Sequence, residues 1–341
     1  MQEGSKKVVI MPNKYQQVVQ QPGDPRIYLC VMGQWYYYDP YSMPLGDGAM
    51  GTVYLGFSCS SNQRIAVKRI KDVYVNNKMI RERARQEASL SFSHPNLVKM
   101  IGMCEVAPNH GPIFILSGYV AGITLEAHVK EQLNSLPNED RIEKISRDIC
   151  CVLDALQYLH ARGVVHRDVK PTNIMIENGS QVKLMDLGIA RLNGGNKYSS
   201  YGFIGTPQYA APEQILRESE DSTINAQTDI YATGITYYEL ITGDNPFKTD
   251  VEAEMLSRQI EKKLPYNNKM PRSIFKVIQK ATEKDPGKRY KSATEFKFAI
   301  IHALEKSDEG AFMSWVLNHW ILLTGGIAAI IATLMIIMYV L

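Results

Sequence analysis

His166-Arg167-Asp168-Val169-Lys170-Pro171-Thr172-Asn173 is the stretch whose reading decides the fold. It places a carboxylate, a lysine and an amide within six residues. It follows a run in which Ile142, Ile145, Ile149, Val152, Leu156 and Leu159 recur at helical spacing, and those residues read as core rather than as a site. Within the quoted stretch, Asp168 is suited to orient and deprotonate a hydroxyl. Lys170 can face anionic charge, and Asn173 can hold a metal ion. Phosphoryl transfer needs such groups. A histidine before an Arg-Asp pair can arise by chance in 341 residues, but Asn five residues after the Asp makes chance a poor account.

Upstream, Leu45-Gly46-Asp47-Gly48-Ala49-Met50-Gly51-Thr52-Val53 carries three glycines at G-x-G-x-x-G spacing. Glycines let backbone amides approach phosphates without a Cβ in the way. A dinucleotide fold would follow them with a helix. Here Thr52-Val53-Tyr54-Leu55 alternates like a strand, which favours a hairpin lid. Next, Ile65-Ala66-Val67-Lys68-Arg69-Ile70 sets a lysine inside an apolar strand. That is costly unless the lysine is paired or reaches water along an edge. Downstream, Asp186-Leu187-Gly188 follows the β-type run Val182-Lys183-Leu184-Met185, thirteen residues after Asn173. Gly205-Thr206-Pro207-Gln208-Tyr209-Ala210-Ala211-Pro212-Glu213 comes after it.

In this order and at these spacings, the runs resemble the eukaryotic-type (Hanks-type) Ser/Thr protein kinases from about Tyr36 to Leu304. The resemblance implies an α+β, two-lobed protein kinase-like fold. It has a β-rich N-lobe at 36–116, a hinge at 117–120 and a helical C-lobe at 121–306. It implies ATP and Mg²⁺ (or Mn²⁺) as cofactors, and Ser or Thr hydroxyls of proteins as acceptors. Asp168 would be the base, with Lys170 on the γ-phosphoryl and Thr206 shaping the hydroxyl pocket. Lys68 would hold the α- and β-phosphates, oriented by Glu87 on a charged helix, with Glu82 as the competing partner. Asn173 and Asp186 would hold the metal. The nucleotide would sit among Leu45–Gly51, Val53, Ala66, Tyr119 and Val120, with Ser117 as a small gatekeeper. Glu213 would pair with Arg289, and Asp229 would brace the catalytic-loop backbone. The family's Asp-Phe-Gly has Leu187 in the middle here, and Gly118 replaces a common acidic hinge residue. No catalytic position is replaced, which sets the chain apart from a pseudokinase scaffold. A small-molecule kinase of related fold is the third class, and the Gly-Thr-x-x-Tyr segment argues against it.

The far end reads differently. The 22 residues from Trp320 to Leu341 carry no charge. As a helix they span about 33 Å, enough for a hydrocarbon layer of roughly 30 Å. Trp315, Trp320 and Tyr339 lie near its ends, where amphipathic rings favour headgroups. The expectation is a single C-terminal transmembrane helix at 320–341 behind a linker at 307–319. The kinase domain would then be cytoplasmic and the protein would belong to the cell membrane. That arrangement resembles the kinase-plus-membrane part of bacterial receptor-like Ser/Thr kinases. Autophosphorylation through a homodimer is expected, with Ser199 and Ser200 as candidate phosphosites and Arg167 as their receptor.

A net charge of +3 with no basic run gives no footprint for nucleic acid. Five cysteines, with no Cys-x-x-Cys, read as reduced thiols. Residues 1–35 are polar and Gln-rich at the start and carry Pro-Gly-Asp-Pro at 22–25, so they read as a partly disordered extension. The Trp35–Tyr38 cluster reads as lobe packing, with an aromatic ligand platform as the sharper alternative.

Overall fold

The computed structural model describes residues 18–48, 50–89, 92–107, 110–186, 206–216 and 224–305. The expected linker and membrane helix lie outside them, as do residues 1–17, Ala49, Leu187, Gly188 and the two candidate phosphoserines. Among the described residues no helix is long and apolar enough to cross a membrane.

The small lobe is built on one antiparallel sheet. Its strands are β1 (Val18–Gln20), β2 (Ile27–Val31), β3 (Gln34–Tyr38), β4 (Gly46–Asp47), β5 (Gly51–Ser58), β6 (Arg64–Ile70), β7 (Met100–Ala107) and β8 (His110–Gly118). They run in the order β1-β2-β3-β5-β6-β8-β7, with β4 paired to β5. Alternation along β6 divides the lobe into two chemistries. Ile65 and Val67 point into a core with Leu29, Val31, Tyr38, Cys104, Phe114 and Leu116. Ala66 and Lys68 point the other way. Lys68 lies opposite Val53 on β5 and Ile115 on β8, and Ala66 lies opposite Leu55 and Ser117.

Among the described residues the sheet therefore begins at Val18, not at Tyr36. Residues 18–35 do not form the partly disordered extension that their polar start suggests. Leu29 and Val31 alternate into the apolar face of the sheet and cover it. The Trp35–Tyr38 cluster is packing: Tyr38 is fully buried beside Tyr54 and Phe114. The strand β8 also continues through Gly118, whose amide donates to Lys99 O (2.8 Å), so the first two expected hinge residues are still strand.

The helix α1 (Lys78–Ser89) packs on the Lys68 face through Ile80 and Ala84, which meet Ile70, Ile113 and Ile115. The large lobe is helical, with a small sheet of β9 (Gly122–Thr124), β10 (Ile174–Glu177) and β11 (Gln181–Leu184) on its upper surface. Its helices are α2 (Leu125–His128), α3 (Asn138–His160), α4 (Pro212–Ile215), α5 (Ala226–Thr242), α6 (Glu252–Glu261), α7 (Arg272–Ala281) and α8 (293–305). The apolar stripe read from α3 is core throughout, with no member more than 2% exposed. Gly122 is demanded by packing, because a Cβ there would lie 1.8 Å from Ile176 O on the neighbouring strand.

All five cysteines are free, with Cys104 buried and Cys59 exposed. Replacing Leu29 by Ala should cost about 2–5 kcal/mol, read from the urea unfolding midpoint. A loss below about 0.5 kcal/mol would show that β2 is dispensable to the lobe.

Candidate active site

The helix α3 stops at His160, and the chain turns through Gly163 into the loop that carries the quoted stretch. That loop is shaped by α5, whose residues are nearly all buried. Asp229, in the first turn of α5, is fully buried. Its Oδ1 accepts from the Arg167 amide (2.6 Å), and its Oδ2 accepts from the His166 amide (2.8 Å) and from His160 Nε2 (2.7 Å). Burial alone would raise the Asp229 pKa. The hydrogen bonds from the His160 side chain and the Arg167 amide oppose it, and the carboxyl sits below its ordinary range. These bonds hold Arg167 in the left-handed region, at φ 68°. A side chain there is strained and persists only where its surroundings impose it.

The turn presents Asp168. Its Oδ2 accepts from Asn173 Nδ2 (3.0 Å) and lies 3.2 Å from Lys170 Nζ. Its Oδ1 accepts from the Thr206 hydroxyl (3.4 Å), which itself accepts from Lys170 Nζ (2.8 Å). Four residues singled out in the sequence thus meet in one cluster, and Thr206 arrives from a segment more than thirty positions downstream.

His166 links this loop to the next one. Its Nε2 donates to Met185 O (2.9 Å), and its Nδ1 accepts from the Asp168 amide (3.3 Å). The Met185 amide donates to Asn173 O (2.8 Å). Asp186 follows with φ 44°, and its Oδ2 lies 3.2 Å from Lys68 Nζ on β6. This ion pair crosses between the lobes. Lys68 holds the Asp186 carboxyl below the ordinary carboxylate range, burial opposes the shift, and Lys170 adds to the lowering.

The glycine-rich hairpin closes over the same face. Gly46 and Asp47 pair with Val53 and Thr52. Gly51 is required by the sheet, since a Cβ there would lie 2.6 Å from Arg69 O. Gly46 and Gly48 face no such limit: a Cβ at Gly46 would meet open space, and at Gly48 only Gly51 O at 3.6 Å. Val53 and Ala66 lie on the Lys68 face. Leu45, Asp47 and Met50 are in the same hairpin, where Asp47 accepts from the Thr52 hydroxyl (2.8 Å). Tyr119 and Val120 join the lobes, with Val120 buried and the Arg64 guanidinium 4.7 Å from the Tyr119 ring centre.

Position 87 is on α1, seven residues after Ile80 and three after Ala84, hence on the sheet-facing stripe. The Glu87 side chain lies outside the described ones. Glu82 is exposed. Behind the site, Arg289 Nη1 and Nη2 donate to the two Glu213 oxygens (2.7 and 2.8 Å), the pairing expected from sequence. Both side chains are buried, and Thr228 and three backbone carbonyls complete the set. His160 and the His166–Met185 bond were not foreseen. His160 merely closes an apolar helical pattern, and nothing local announces a partner sixty-nine positions away.

The protein kinase domain family matches residues 41–299. The chain belongs to that family. A probable serine/threonine-protein kinase of Clostridium perfringens is 35% identical over 77% of this chain and 37% of its own length. The serine/threonine-protein kinase PknB of Mycolicibacterium smegmatis is 32% identical over 76% of this chain and 42% of its own. PknB of Mycobacterium tuberculosis is 32% identical over 75% and 41%. The chain thus spans about two fifths of the length of these curated relatives. Among solved structures, a crystal structure of the M. tuberculosis PknI kinase domain covers 79% of this chain and 95% of its own, at 25% identity and a TM-score of 0.59. A second one matches at 24% and 0.57.

Asp229→Asn supplies one acceptor oxygen where the loop uses two. The variant should lose roughly 1–3 kcal/mol of stability near neutral pH. Because the folded-state pKa of Asp229 is depressed, the wild-type advantage is full above the ordinary carboxylate pKa of about 3.9 and fades as pH falls through the lower folded value. Urea titrations of both proteins at pH 7 and in acid check this, and a gap that widens in acid would contradict it.

Proposed function

We propose that this chain is a serine/threonine protein kinase that transfers the γ-phosphoryl group of ATP to Ser or Thr hydroxyls of proteins. The observation that carries the reading is the convergence of Asp168, Lys170, Asn173 and Thr206 in one hydrogen-bonded cluster, with Lys68 of the small lobe meeting Asp186. Asp168 orients the acceptor hydroxyl and takes its proton at a carboxylate oxygen. Lys170, already bonded to Asp168 and Thr206, steadies the charge on the moving phosphoryl. Lys68 holds the nucleotide's inner phosphates, and Glu87 on α1 orients it. Leu45 through Gly51 cover the phosphates and exclude water, and the open space at Gly46 leaves room for a close approach. Val53, Ala66, Tyr119 and Val120 frame the base.

The donor set fits a hard divalent cation. Asp186 offers an ionised carboxylate, and Asn173, whose amide nitrogen is committed to Asp168, offers Oδ1. Among the described residues no group of three or more His, Cys, Asp or Glu could hold a metal alone. That suits Mg²⁺ or Mn²⁺, which take one or two protein ligands together with substrate phosphates. When bound, the cation supplies neutralisation of the phosphate charge. A pseudokinase is disfavoured because Lys68, Asp168, Asn173 and Asp186 are all present.

Asp168→Asn should leave ATP affinity nearly intact and lower kcat by roughly 10²–10⁴ on Ser/Thr peptides. Unchanged turnover would remove Asp168 from its role. Asp186→Asn should weaken Mg·ATP binding, measured by calorimetry, and equal affinity would contradict the metal assignment.

We further propose that residues 320–341 anchor the protein in the cell membrane as a single pass, with the kinase domain on the cytoplasmic side. Support comes from the charge-free length and the flanking aromatics. A homodimer would serve autophosphorylation on the segment carrying Ser199 and Ser200. The full chain should stay in the membrane pellet after alkaline carbonate washing. Mass spectrometry should find phosphate on that segment in the wild type and none in Lys68→Met. Release into the wash would sink the anchor, and equal phosphorylation would sink the autocatalytic step.

A further inference from the structure

The seat of α1 is set by charge as well as by apolar packing. Ile80 and Ala84 give it a greasy contact with the sheet, and such a contact by itself tolerates sliding and rotation. Arg81, beside Ile80, does not. Its side chain is 2% exposed, and all three guanidinium nitrogens are engaged. Nε donates to Val75 O (2.5 Å) in the segment entering the helix. Nη1 donates to Glu105 on β7, and Nη2 donates to Gly111 O at the start of β8. One turn later Arg85 donates to the same carboxylate, Nε to Oε1 (2.8 Å) and Nη2 to Oε2 (3.1 Å). Glu105 is itself 13% exposed.

A carboxylate gripped by two guanidiniums from successive turns of one helix face is a geometric lock. Planar fork contacts fix distance and angle together. They add little net stability, because burying the charges offsets the attraction. The lock acts along the helix axis, and position 87 lies less than one turn beyond Arg85.

We propose that Glu105 is a positioning residue: through Arg81 and Arg85 it fixes the seat of α1 against β7, and thereby the placement of position 87 relative to Lys68. Its effect on catalysis rests on the kinase reading above. Its effect on the seat of the helix rests on geometry alone, and the test separates the two.

The variants are Glu105→Gln, Glu87→Gln and their double, with Arg85→Gln as a milder cut at a partly exposed member of the lock. Amide exchange followed by mass spectrometry should show residues 78–89 exchanging about tenfold faster in Glu105→Gln, while α5 is unchanged. Peptide phosphorylation should show kcat/KM for ATP falling about tenfold in Glu105→Gln and about threefold in Arg85→Gln, and the double should be no worse than Glu87→Gln alone. Losses that multiply in the double, or α1 exchange equal to wild type, would overturn the proposal. Faster α1 exchange in a wild-type background that transfers no phosphate would uphold the seating and refute the kinase reading instead.

Discussion

A carboxylate shut away from water must receive its hydrogen bonds from protein, and Asp229 receives three. Two come from consecutive backbone amides, His166 and Arg167, and one from His160. Unpaired, such a charge would cost several kcal/mol, roughly 3–5. Paired in this way, it dictates the path of the loop. The amides can both reach it only if Arg167 takes a left-handed turn, and that turn is what presents Asp168. The carboxylate is carried by a helix buried along nearly its whole length, so a packed core element sets the position of the loop that carries Asp168.

From that point the constraint spreads through short polar links. His166 ties the loop to Met185, and Met185 ties Asn173 to the turn that holds Asp186. Asp186 in turn meets Lys68 from the other lobe. Each link is modest, near 1 kcal/mol by the usual measure, but those of the buried His166 ring leave a polar group unpaired if broken. The small lobe contributes through the two faces of β6. One face is sealed by the N-terminal strands and carries only packing. The other bears Lys68, the glycine-rich hairpin and α1. A single alternation of side chains therefore separates stability from chemistry.

Much of this was legible in the residues. The helical stripe before the loop, the strand bearing Lys68 and the Glu213–Arg289 pair stand where their patterns put them. Local periods governed the first two, of 3.6 residues and of two, whereas the pair, 76 positions apart, was implied by the family resemblance alone. The N-terminal strands depart from the expected extension for a physical reason. A polar, Gln- and Pro-containing start lowers mean hydropathy, but Leu29 and Val31 need only alternate to cover a sheet that is already apolar. The hinge boundary shifted because Gly118 still finds strand partners. His160 and the Arg81–Glu105–Arg85 lock gave no local sign, since each depends on a partner far along the chain.

The residues by themselves determined which chemical groups are present, in what order and on which kinds of element, because periodicity and spacing act over a few positions. They determined a strand with a lysine set among apolar residues, a carboxylate loop and a charge-free tail. Only the tertiary structure decided that Lys68 meets Asp186 and that Lys170 and Thr206 meet Asp168. Lys68 lies 118 positions from Asp186 and Thr206 lies 38 from Asp168. Contacts at that separation are set by how two lobes and a buried helix pack, and short-range sequence carries no measure of that distance.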